Sequence, residues 1–339
     1  MKKFLFGVIK FFVMVLIGVI LAEGLFRLWT PPPRPRHDRP RYLVSFTKKT
    51  PIRDKRLIPQ HDRAGFRIFV LGDSYTWGAN NQFINTYPAV LEWMLNTATQ
   101  GHYEVYNYGV NGATTDDELR LMKKILAYKP DFIIIGYFLN DPDPNRNLPP
   151  DLIPFFKSEV QPSPVRKWLT SHSRLYAFLY QRIWAYRMVR TQIGYFHKLY
   201  DPHRRTWPRH EKELHRIAEF RRTTGIPVLV VIWPHLGFPM DQRYPFQDIH
   251  QQVAKVLTGD NIPVIDLYRY FKGMDNRRLQ AVPALDPHPS EIAHRLAAEV
   301  IFDWLVEAVP RIGREFVRPR LLPNTPYPSF RLRLAPLRP

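Results

Sequence analysis

Residues 66–78 read FRIFVLGDSYTWG, a short apolar run that ends in a polar turn. A run of this length, bounded by Gly72, predicts a buried β-strand over residues 66–71. The turn at Gly72-Asp73-Ser74 would present the Ser74 hydroxyl at the end of that strand and begin a helix. A serine hydroxyl is a weak nucleophile by itself, so catalysis would need an imidazole base and a group that orients the base. The plainer alternative is that Ser74 only caps the helix.

Predicted strands alternate with predicted helices from this segment onward. The strands lie at 66–71, 103–108, 131–136, 227–233 and 262–266, and the helices at 87–95, 115–128, 211–224, 249–257 and 290–306. This alternation predicts an α/β domain with about five parallel strands, covered by helices on both faces. Active sites in such sheets lie at the carboxyl ends of the strands, so the residues that follow each strand are the candidates for function.

The segments after the second and third strands offer hydrogen-bond donors. Gly112 lies in a turn where no side chain shields its backbone N–H, and Asn140 carries a side-chain amide. Either group could donate to an oxyanion that develops beside Ser74. Both residue types are also common in ordinary turns, so neither establishes a catalytic site alone.

An acid and an imidazole precede the last predicted helix. Asp286 and His288 are separated by one proline, and a carboxylate at that spacing can fix the ring's tautomer and leave its other nitrogen for Ser74. His235 follows the fourth strand and is a second histidine that could contact substrate. A metal site built from His235, Asp241 and His288 is conceivable, but their spacing does not support it.

Four blocks of sequence together resemble the SGNH/GDSL hydrolase superfamily. They are Gly72-Asp73-Ser74, Asn107-Tyr108-Gly109-Val110-Asn111-Gly112, Asn140-Asp141 and Asp286…His288-Pro289, in that order. The likeness covers roughly residues 66–306. It is greatest with the membrane-anchored bacterial members, which are similar over residues 72–78 and in an N-terminal apolar segment. The resemblance implies a flavodoxin-like, three-layer α/β/α fold and no metal or organic cofactor.

The resemblance also implies a role for individual residues. Ser74 would be the nucleophile, His288 the base, and Asp286 the acid that orients the base. The N–H groups of Ser74 and Gly112 and the side chain of Asn140 would form the oxyanion hole.

The sequence departs from the family pattern in two places. The family has glycine two residues before the oxyanion-hole asparagine, where this chain has Phe138, which we expect to narrow the pocket beside Asn140. The family usually separates acid and base by two residues, and the shorter spacing here resembles polysaccharide O-acetyl esterases and acetyltransferases. We expect Tyr75, Phe138 and His235 to contact the substrate.

An apolar segment over residues 4–28 follows the first basic residues. About 20 apolar residues span the hydrocarbon core of a bilayer, so residues 1–29 are predicted to be an uncleaved transmembrane anchor. A cleaved signal peptide and a buried helix are the alternatives, and no small-residue cleavage motif follows the segment. Basic residues flank both ends, so the positive-inside rule does not decide the orientation. The catalytic interpretation favours a single pass through the inner (cytoplasmic) membrane, with the catalytic domain on the periplasmic side.

The other segments divide by composition. Residues 30–65 are rich in Pro, Arg and Lys and predict a linker, residues 66–308 form the predicted hydrolase-like domain, and residues 309–339 form a basic, Pro-rich tail. Residues 150–208 interrupt the alternation as a helical insertion that is crowded with aromatic and basic residues. We expect this insertion either to cap the active site or to lie on a membrane surface.

Composition narrows the class of partner. The chain has a net charge of +19 and no cysteine. The charge favours anionic envelope polysaccharide or phospholipid, and the alternative is that much of it lies in solvated tails, because Arg recurs between prolines at both ends of the chain. No nucleic-acid-binding motif is present, and no thiolate nucleophile is available. We therefore expect a serine esterase that hydrolyses an acyl ester, such as an O-acetyl group, on a small molecule, an envelope polysaccharide or a lipid. An O-acyltransferase using the same triad and a non-catalytic envelope scaffold are the alternatives. The oligomeric state stays open.

Overall fold

The structure is a computed structural model of the 339-residue chain. It describes residues 2–29, 52, 54, 56, 65–143, 163–283 and 286–316. Most of the predicted linker, residues 150–162 of the predicted insertion and the predicted tail from residue 317 onward lie outside the described residues.

A five-stranded parallel sheet forms the centre of the domain. Its strands are β1 (Phe66–Gly72), β2 (Tyr103–Gly109), β3 (Phe132–Tyr137), β4 (Val228–Ile232) and β5 (Val264–Asp266). Their spatial order is β2-β1-β3-β4-β5, as in flavodoxin-like sheets. Every residue of β1, β3 and β4 is buried, which requires cover on both faces. The predicted parallel sheet is confirmed, and each strand begins and ends within two residues of its predicted bounds.

Helices pack in two groups around this sheet. The helices are α1 (Lys2–Trp29), α2 (Ser74–Trp77), α3 (Tyr87–Ala98), α4 (Thr115–Ile125), α5 (Pro164–His172), α6 (Arg174–Leu199), α7 (Thr206–Thr224), α8 (Gln247–Gly259), α9 (Tyr268–Phe271), α10 (Asn276–Leu279), α11 (Glu291–Ala308) and α12 (Pro310–Glu315). Helix α3 packs against α11, whereas α7 packs against both α4 and α8. The five helices predicted for the domain correspond to α3, α4, α7, α8 and α11.

Three neighbouring strands, β2, β1 and β3, carry a row of glycines at their carboxyl ends. Gly72 of β1 pairs with Gly109 of β2 and with Gly136 of β3. A Cβ atom on Gly109 would overlap the backbone nitrogen of Trp77, and one on Gly136 would overlap the hydroxyl of Thr76. Because glycine has no Cβ, helix α2 can pack directly on the ends of these strands. We call these three residues the glycine row.

Two further strands pair only with each other and form a small second sheet. Strands β6 (Gln280–Val282) and β7 (Asp286–Pro289) are antiparallel, with Asp286 opposite Val282 and Pro289 opposite Gln280. Neither strand was among those predicted from the sequence. Strand β7 carries the predicted acid and base.

The folded domain extends beyond both predicted boundaries. Asp54, in the predicted linker, is nearly buried and accepts a hydrogen bond from the backbone N–H of Asn107 at 3.1 Å. At the other end, Ile312 of α12 is fully buried, and Phe316 forms an isolated β-bridge with Thr99. The domain therefore reaches at least residue 316, because an apolar side chain in the predicted tail packs into the core.

Helix α6 contacts both α1 and α5. Helix α1 contains a stretch, Phe6–Leu28, of 23 residues with mean hydropathy 2.4, which is long and apolar enough to cross a membrane. Helices α5 and α6 are the described part of the predicted insertion. Phe196 and Leu199, in the last turn of α6, are buried in the core of the domain. The insertion therefore links α1 to the α/β domain.

Candidate active site

Ser74, His288 and Asp286 form a continuous chain of hydrogen bonds. The Nε2 atom of His288 lies 3.0 Å from Ser74 Oγ, and its Nδ1 atom lies 2.6 Å from Asp286 Oδ1. The backbone N–H of His288 donates to the same carboxylate oxygen at 3.0 Å. Ser74 thus has an imidazole placed to accept its proton, and the imidazole has a carboxylate that orients it.

The extended conformation of β7 explains how one intervening residue suffices between acid and base. Side chains two positions apart in a strand project from the same face. Asp286 and His288 occupy such positions, and their pairing with β6 holds the segment extended. The spacing that departs from the family pattern therefore directs both side chains toward Ser74.

Asn80 is a residue of the site that the sequence analysis missed. Its side-chain N–H donates to Asp286 Oδ2, the oxygen that does not bond to His288. Asn80 has a φ of 60°, a left-handed conformation that asparagine tolerates better than most residues. Burial alone would raise the pKa of Asp286, but the hydrogen bonds from His288 and Asn80 outweigh it and hold that pKa below its usual range. The acid therefore stays ionised beside the base.

Tyr75 joins the nucleophile's helix to strand β7. Its hydroxyl donates to the carbonyl oxygen of Pro287 at 3.2 Å, and its ring centroid lies 5.6 Å from that of His288. The ring also stacks on Phe138, with 4.1 Å between centroids. Tyr75 is thus placed to keep the segment that carries the base against α2.

The residues predicted to contact substrate pack against one another. The ring centroid of His235 lies 5.8 Å from that of Phe138 and 5.6 Å from that of Phe196 in α6. Tyr75, Phe138 and His235 are all buried. Burial lowers the pKa of His235 to about 4, so this imidazole is neutral at physiological pH. We call Tyr75, Phe138, His235 and Phe196 the aromatic cluster; it adjoins the triad through Tyr75.

The three predicted oxyanion donors follow the carboxyl ends of three neighbouring strands. Ser74, Gly112 and Asn140 follow the glycine row by two, three and four residues. Gly112 has a φ of 70°, with open space where a Cβ would lie. The side chain of Asn140 hydrogen-bonds to the carboxylate of Asp73, which also accepts the backbone N–H of Tyr75 at 2.8 Å.

Three carboxyl groups are completely buried near the nucleophile: Asp73, Glu118 and Asp141. Burial raises the pKa of Asp73 to about 6. Burial and then the neighbouring carboxylates raise the pKa of Glu118 and of Asp141 well above the usual range. The Thr115 hydroxyl donates to Asp141 at 3.3 Å, whereas neither Glu118 oxygen has a hydrogen-bond partner among the described residues. The sequence analysis singled out none of the three for this property.

His235, Asp241 and His288 are the conceivable metal ligands in the sequence. Within the described ranges, no group of three or more His, Asp or Glu side chains is arranged to hold a metal ion.

Comparison with known proteins places this site in a family. The model of the GDSL-like Lipase/Acylhydrolase family matches residues 70–296. The chain belongs to this family. The match runs from β1 into α11, so it contains the triad and all three oxyanion candidates. The resemblance to the SGNH/GDSL superfamily is confirmed.

Individual proteins that are similar to this GDSL-like chain share either a short segment or a low sequence identity with it. "Uncharacterized lipoprotein YqeF" of Bacillus subtilis (strain 168) is 35% identical over 77 residues, which are 22% of this chain and 31% of the lipoprotein. The chain thus matches about a third of that relative's length. A lipase/acylhydrolase from Enterococcus faecalis is similar at 19% identity over 74% of this chain and 96% of its own, with a TM-score of 0.40. Axe2, an acetylxylan esterase from Geobacillus stearothermophilus, is similar at 17% identity over 76% and 98%, with a TM-score of 0.43.

Proposed function

We propose that the protein is a membrane-anchored serine esterase that hydrolyses a carboxylic ester through an acyl-enzyme. The observation that carries this proposal is the hydrogen-bonded chain from Ser74 Oγ through the His288 ring to the Asp286 carboxylate. Membership of the GDSL-like lipase/acylhydrolase family supports the same reaction class.

The first half-reaction forms the acyl-enzyme. As Ser74 Oγ attacks the ester carbonyl carbon, His288 Nε2 takes the hydroxyl proton, and Asp286 stabilises the resulting imidazolium. The tetrahedral intermediate then collapses. The ester C–O bond breaks, the proton passes from His288 to the departing alkoxide, and the acyl group stays on Ser74.

Charge on the carbonyl oxygen needs donors that are already in place. The N–H groups of Ser74 and Gly112 and the side-chain N–H of Asn140 would supply them. Loss of one such donor typically costs about 10²–10³ in kcat. The bond from Asn140 to Asp73 supports this role, because it holds the carboxamide in one orientation before substrate arrives.

The second half-reaction decides the product. Water that gives its proton to His288 would release the acyl group as an acid, which is the reaction we propose. A sugar hydroxyl in the same place would make the protein an O-acyltransferase, which is the alternative. The net charge of +19 supports an ester on an anionic envelope polysaccharide or lipid as substrate.

The anchor and its orientation are part of the proposal. Helix α1 would cross the inner membrane once and hold the catalytic domain on the periplasmic side, which its apolar stretch supports. Because the chain lacks cysteine, a single cysteine at exposed Ile84 is a clean reporter. A membrane-impermeant maleimide should label Ile84→Cys in cells with a permeabilised outer membrane. Labelling only after lysis would show that the domain lies on the cytoplasmic side instead.

A fluorophosphonate probe tests the mechanism on the full chain in detergent. The probe should label the wild type and Ser171→Ala, whose serine is exposed on α5, but not Ser74→Ala. Hydrolysis of short-chain p-nitrophenyl esters should fall about 10⁴-fold or more in Ser74→Ala. An unlabelled wild type would support the scaffold alternative. Labelling without hydrolysis, with acyl transfer to an added oligosaccharide, would support the acyltransferase.

A further inference from the structure

Helix α6 carries an exposed apolar face. Leu179, Ile183, Tyr186 and Val189 are 49%, 55%, 61% and 40% exposed. With 100° of rotation per residue, these four side chains and three of their neighbours, Phe178, Arg182 and Arg190, lie within an arc of about 140° of the helix circumference. The whole face consists of Phe178, Leu179, Arg182, Ile183, Tyr186, Val189 and Arg190. We call it the α6 outer face.

Positive charge lies along this apolar face. Residues 164–199 contain seven Lys and Arg and no Asp or Glu. The Arg182 guanidinium lies over the Phe178 ring at 5.0 Å, and the Arg190 guanidinium lies over the Tyr186 ring at 5.7 Å. A helix whose one face carries apolar, aromatic and basic side chains is suited to lie at the boundary between lipid headgroups and acyl chains.

The beginning of α6 is fastened to the end of the membrane-spanning candidate. The Glu23 carboxylate, near the end of the apolar stretch Phe6–Leu28, accepts hydrogen bonds from the Ser173 hydroxyl at 2.8 Å and from the backbone N–H groups of Arg174 and Leu175 at 2.9 and 3.0 Å. Glu23 therefore caps the first turn of α6. The rings of Phe26 and Phe178 add an apolar contact, with 5.0 Å between centroids.

These contacts fix the depth at which α6 begins. If α1 crosses the bilayer, its residue 23 lies close to the surface, and so does the first turn of α6 that it caps. Phe178, at the start of the face, contacts Phe26, whereas the apolar side chains that follow over three turns stay 40–61% exposed. An exposed apolar surface at this depth favours the bilayer as its neighbour, and the arginines match its anionic headgroups.

We propose that the α6 outer face binds the surface of the membrane that α1 spans, with anionic phospholipid headgroups against Arg182 and Arg190. At the other end of the helix, Phe196 belongs to the aromatic cluster beside the triad. Surface-bound α6 therefore holds the active site next to the lipid. The contact with lipid depends on α1 spanning the membrane and is independent of catalysis by Ser74.

Spin labels on single cysteines test this contact in the full chain. Ile183→Cys reports on the outer face, and Ile84→Cys, at a 70% exposed apolar position of the domain, is the matched control. Both proteins are reconstituted in vesicles that contain phosphatidylglycerol. The ratio of accessibility to oxygen over accessibility to a water-soluble nickel complex should be several-fold higher at 183 than at 84. Equal ratios would overturn the proposal.

Two further arms separate the possible neighbours. A label at 183 that is shielded from both oxygen and nickel would show that protein covers this face, as a cap or a second copy, and would overturn the proposal. Zwitterionic vesicles and the double variant Arg182→Gln/Arg190→Gln should each bring the ratio at 183 closer to that at 84. A ratio that ignores both changes would refute the role of anionic headgroups. Thermal unfolding of each labelled protein checks that it is folded.

Discussion

The two halves of the candidate site are held in place by different means. Ser74 begins a helix that packs directly on the main sheet, because the glycine row leaves room for it. Asp286 and His288 lie on β7, outside that sheet, and side-chain bonds from Asn80 and Tyr75 hold them. The position of Ser74 thus depends on backbone packing, whereas that of His288 depends on the pairing of β7 with β6 and on a few side chains from the segment that begins with Ser74.

The carboxyl groups of the two halves also differ in charge. Burial raises the pKa of Glu118 and Asp141 on the nucleophile side. Asp286 is also partly buried, but hydrogen bonds from His288 and Asn80 lower its pKa. Burial therefore favours the neutral form of Glu118 and Asp141, whereas the hydrogen bonds favour the ionised form of Asp286, which suits a group that must stabilise an imidazolium.

The largest expected effect comes from filling the glycine row. In Gly109→Ala, the new Cβ would overlap the backbone of Trp77 and Thr76, so α2 must move. We expect a loss of about 3 kcal/mol in the free energy of unfolding and a loss of about 100-fold in kcat from displacement of Ser74. Urea unfolding and ester hydrolysis measure the two effects.

The control for this variant is Gly259→Ala, at the end of α8. Nothing lies within 4 Å of a Cβ there, so its stability should stay the same or rise slightly. Equal behaviour of the two variants would show that backbone packing does not position the nucleophile.

A smaller effect is expected when one side-chain bond to the acid is removed. Asn80→Gly deletes the bond to Asp286 but keeps a residue suited to the φ of 60°. A hydrogen bond to a charged group is worth about 2 kcal/mol, so kcat/KM should fall about 30-fold. The matched control is Asn261→Gly, an exposed asparagine with a φ of 61°. Similar loss of activity in both variants would contradict the role assigned to Asn80.

The smallest effect concerns the neutral acids and depends on pH. An unfolded chain releases the Glu118 proton near its ordinary pKa of 4.5, whereas burial keeps it bound in the folded protein. The folded state then holds more protons, so wild-type stability falls as pH rises above about 4.5. Glu118→Gln removes this contribution. Its thermal midpoint should gain on the wild type as the pH rises from 5 to 6, by the equivalent of about 1 kcal/mol in the free energy of unfolding.

Exposed Glu219 provides the control for this comparison. Glu219→Gln should follow the wild type across the same pH range. A Glu118→Gln curve parallel to the wild type would mean that Glu118 is ionised in the folded protein, and the contrast with Asp286 would disappear.

Much of the catalytic domain could be predicted from local patterns. The five strands are short apolar runs that end in turn residues, and the helices between them have recognisable ends, so all ten elements were predicted. Their bounds agree within three residues, except that α7 begins five residues before its predicted start. The half of the site on the main sheet could be predicted for the same reason, because the carboxyl ends of parallel strands lie at the same end of the sheet and Ser74, Gly112 and Asn140 each follow one of them. Strand β7 could not be predicted, because Asp286 to Pro289 contains two prolines and no apolar alternation.

Other features depend on contacts between distant segments. Asn80 lies 206 positions from Asp286, and no local pattern links them. Glu118 belongs to an acidic first turn that is typical of a solvated helix end, so only its burial shows that it is unusual. The insertion left two interpretations open, and the structure divides it: the last turn of α6 packs beside the site, while the outer face stays exposed.

Local sequence established the alternation of strands and helices, the apolar N-terminal stretch and the chemical groups of a serine hydrolase. These follow from residue types and periods within a few residues of one another. The folded chain was needed to show that the His288 ring reaches Ser74, why one residue suffices between Asp286 and His288, and in which direction the pKa of each buried carboxyl group shifts. Those properties depend on distance and burial, which arise when segments two hundred residues apart pack together.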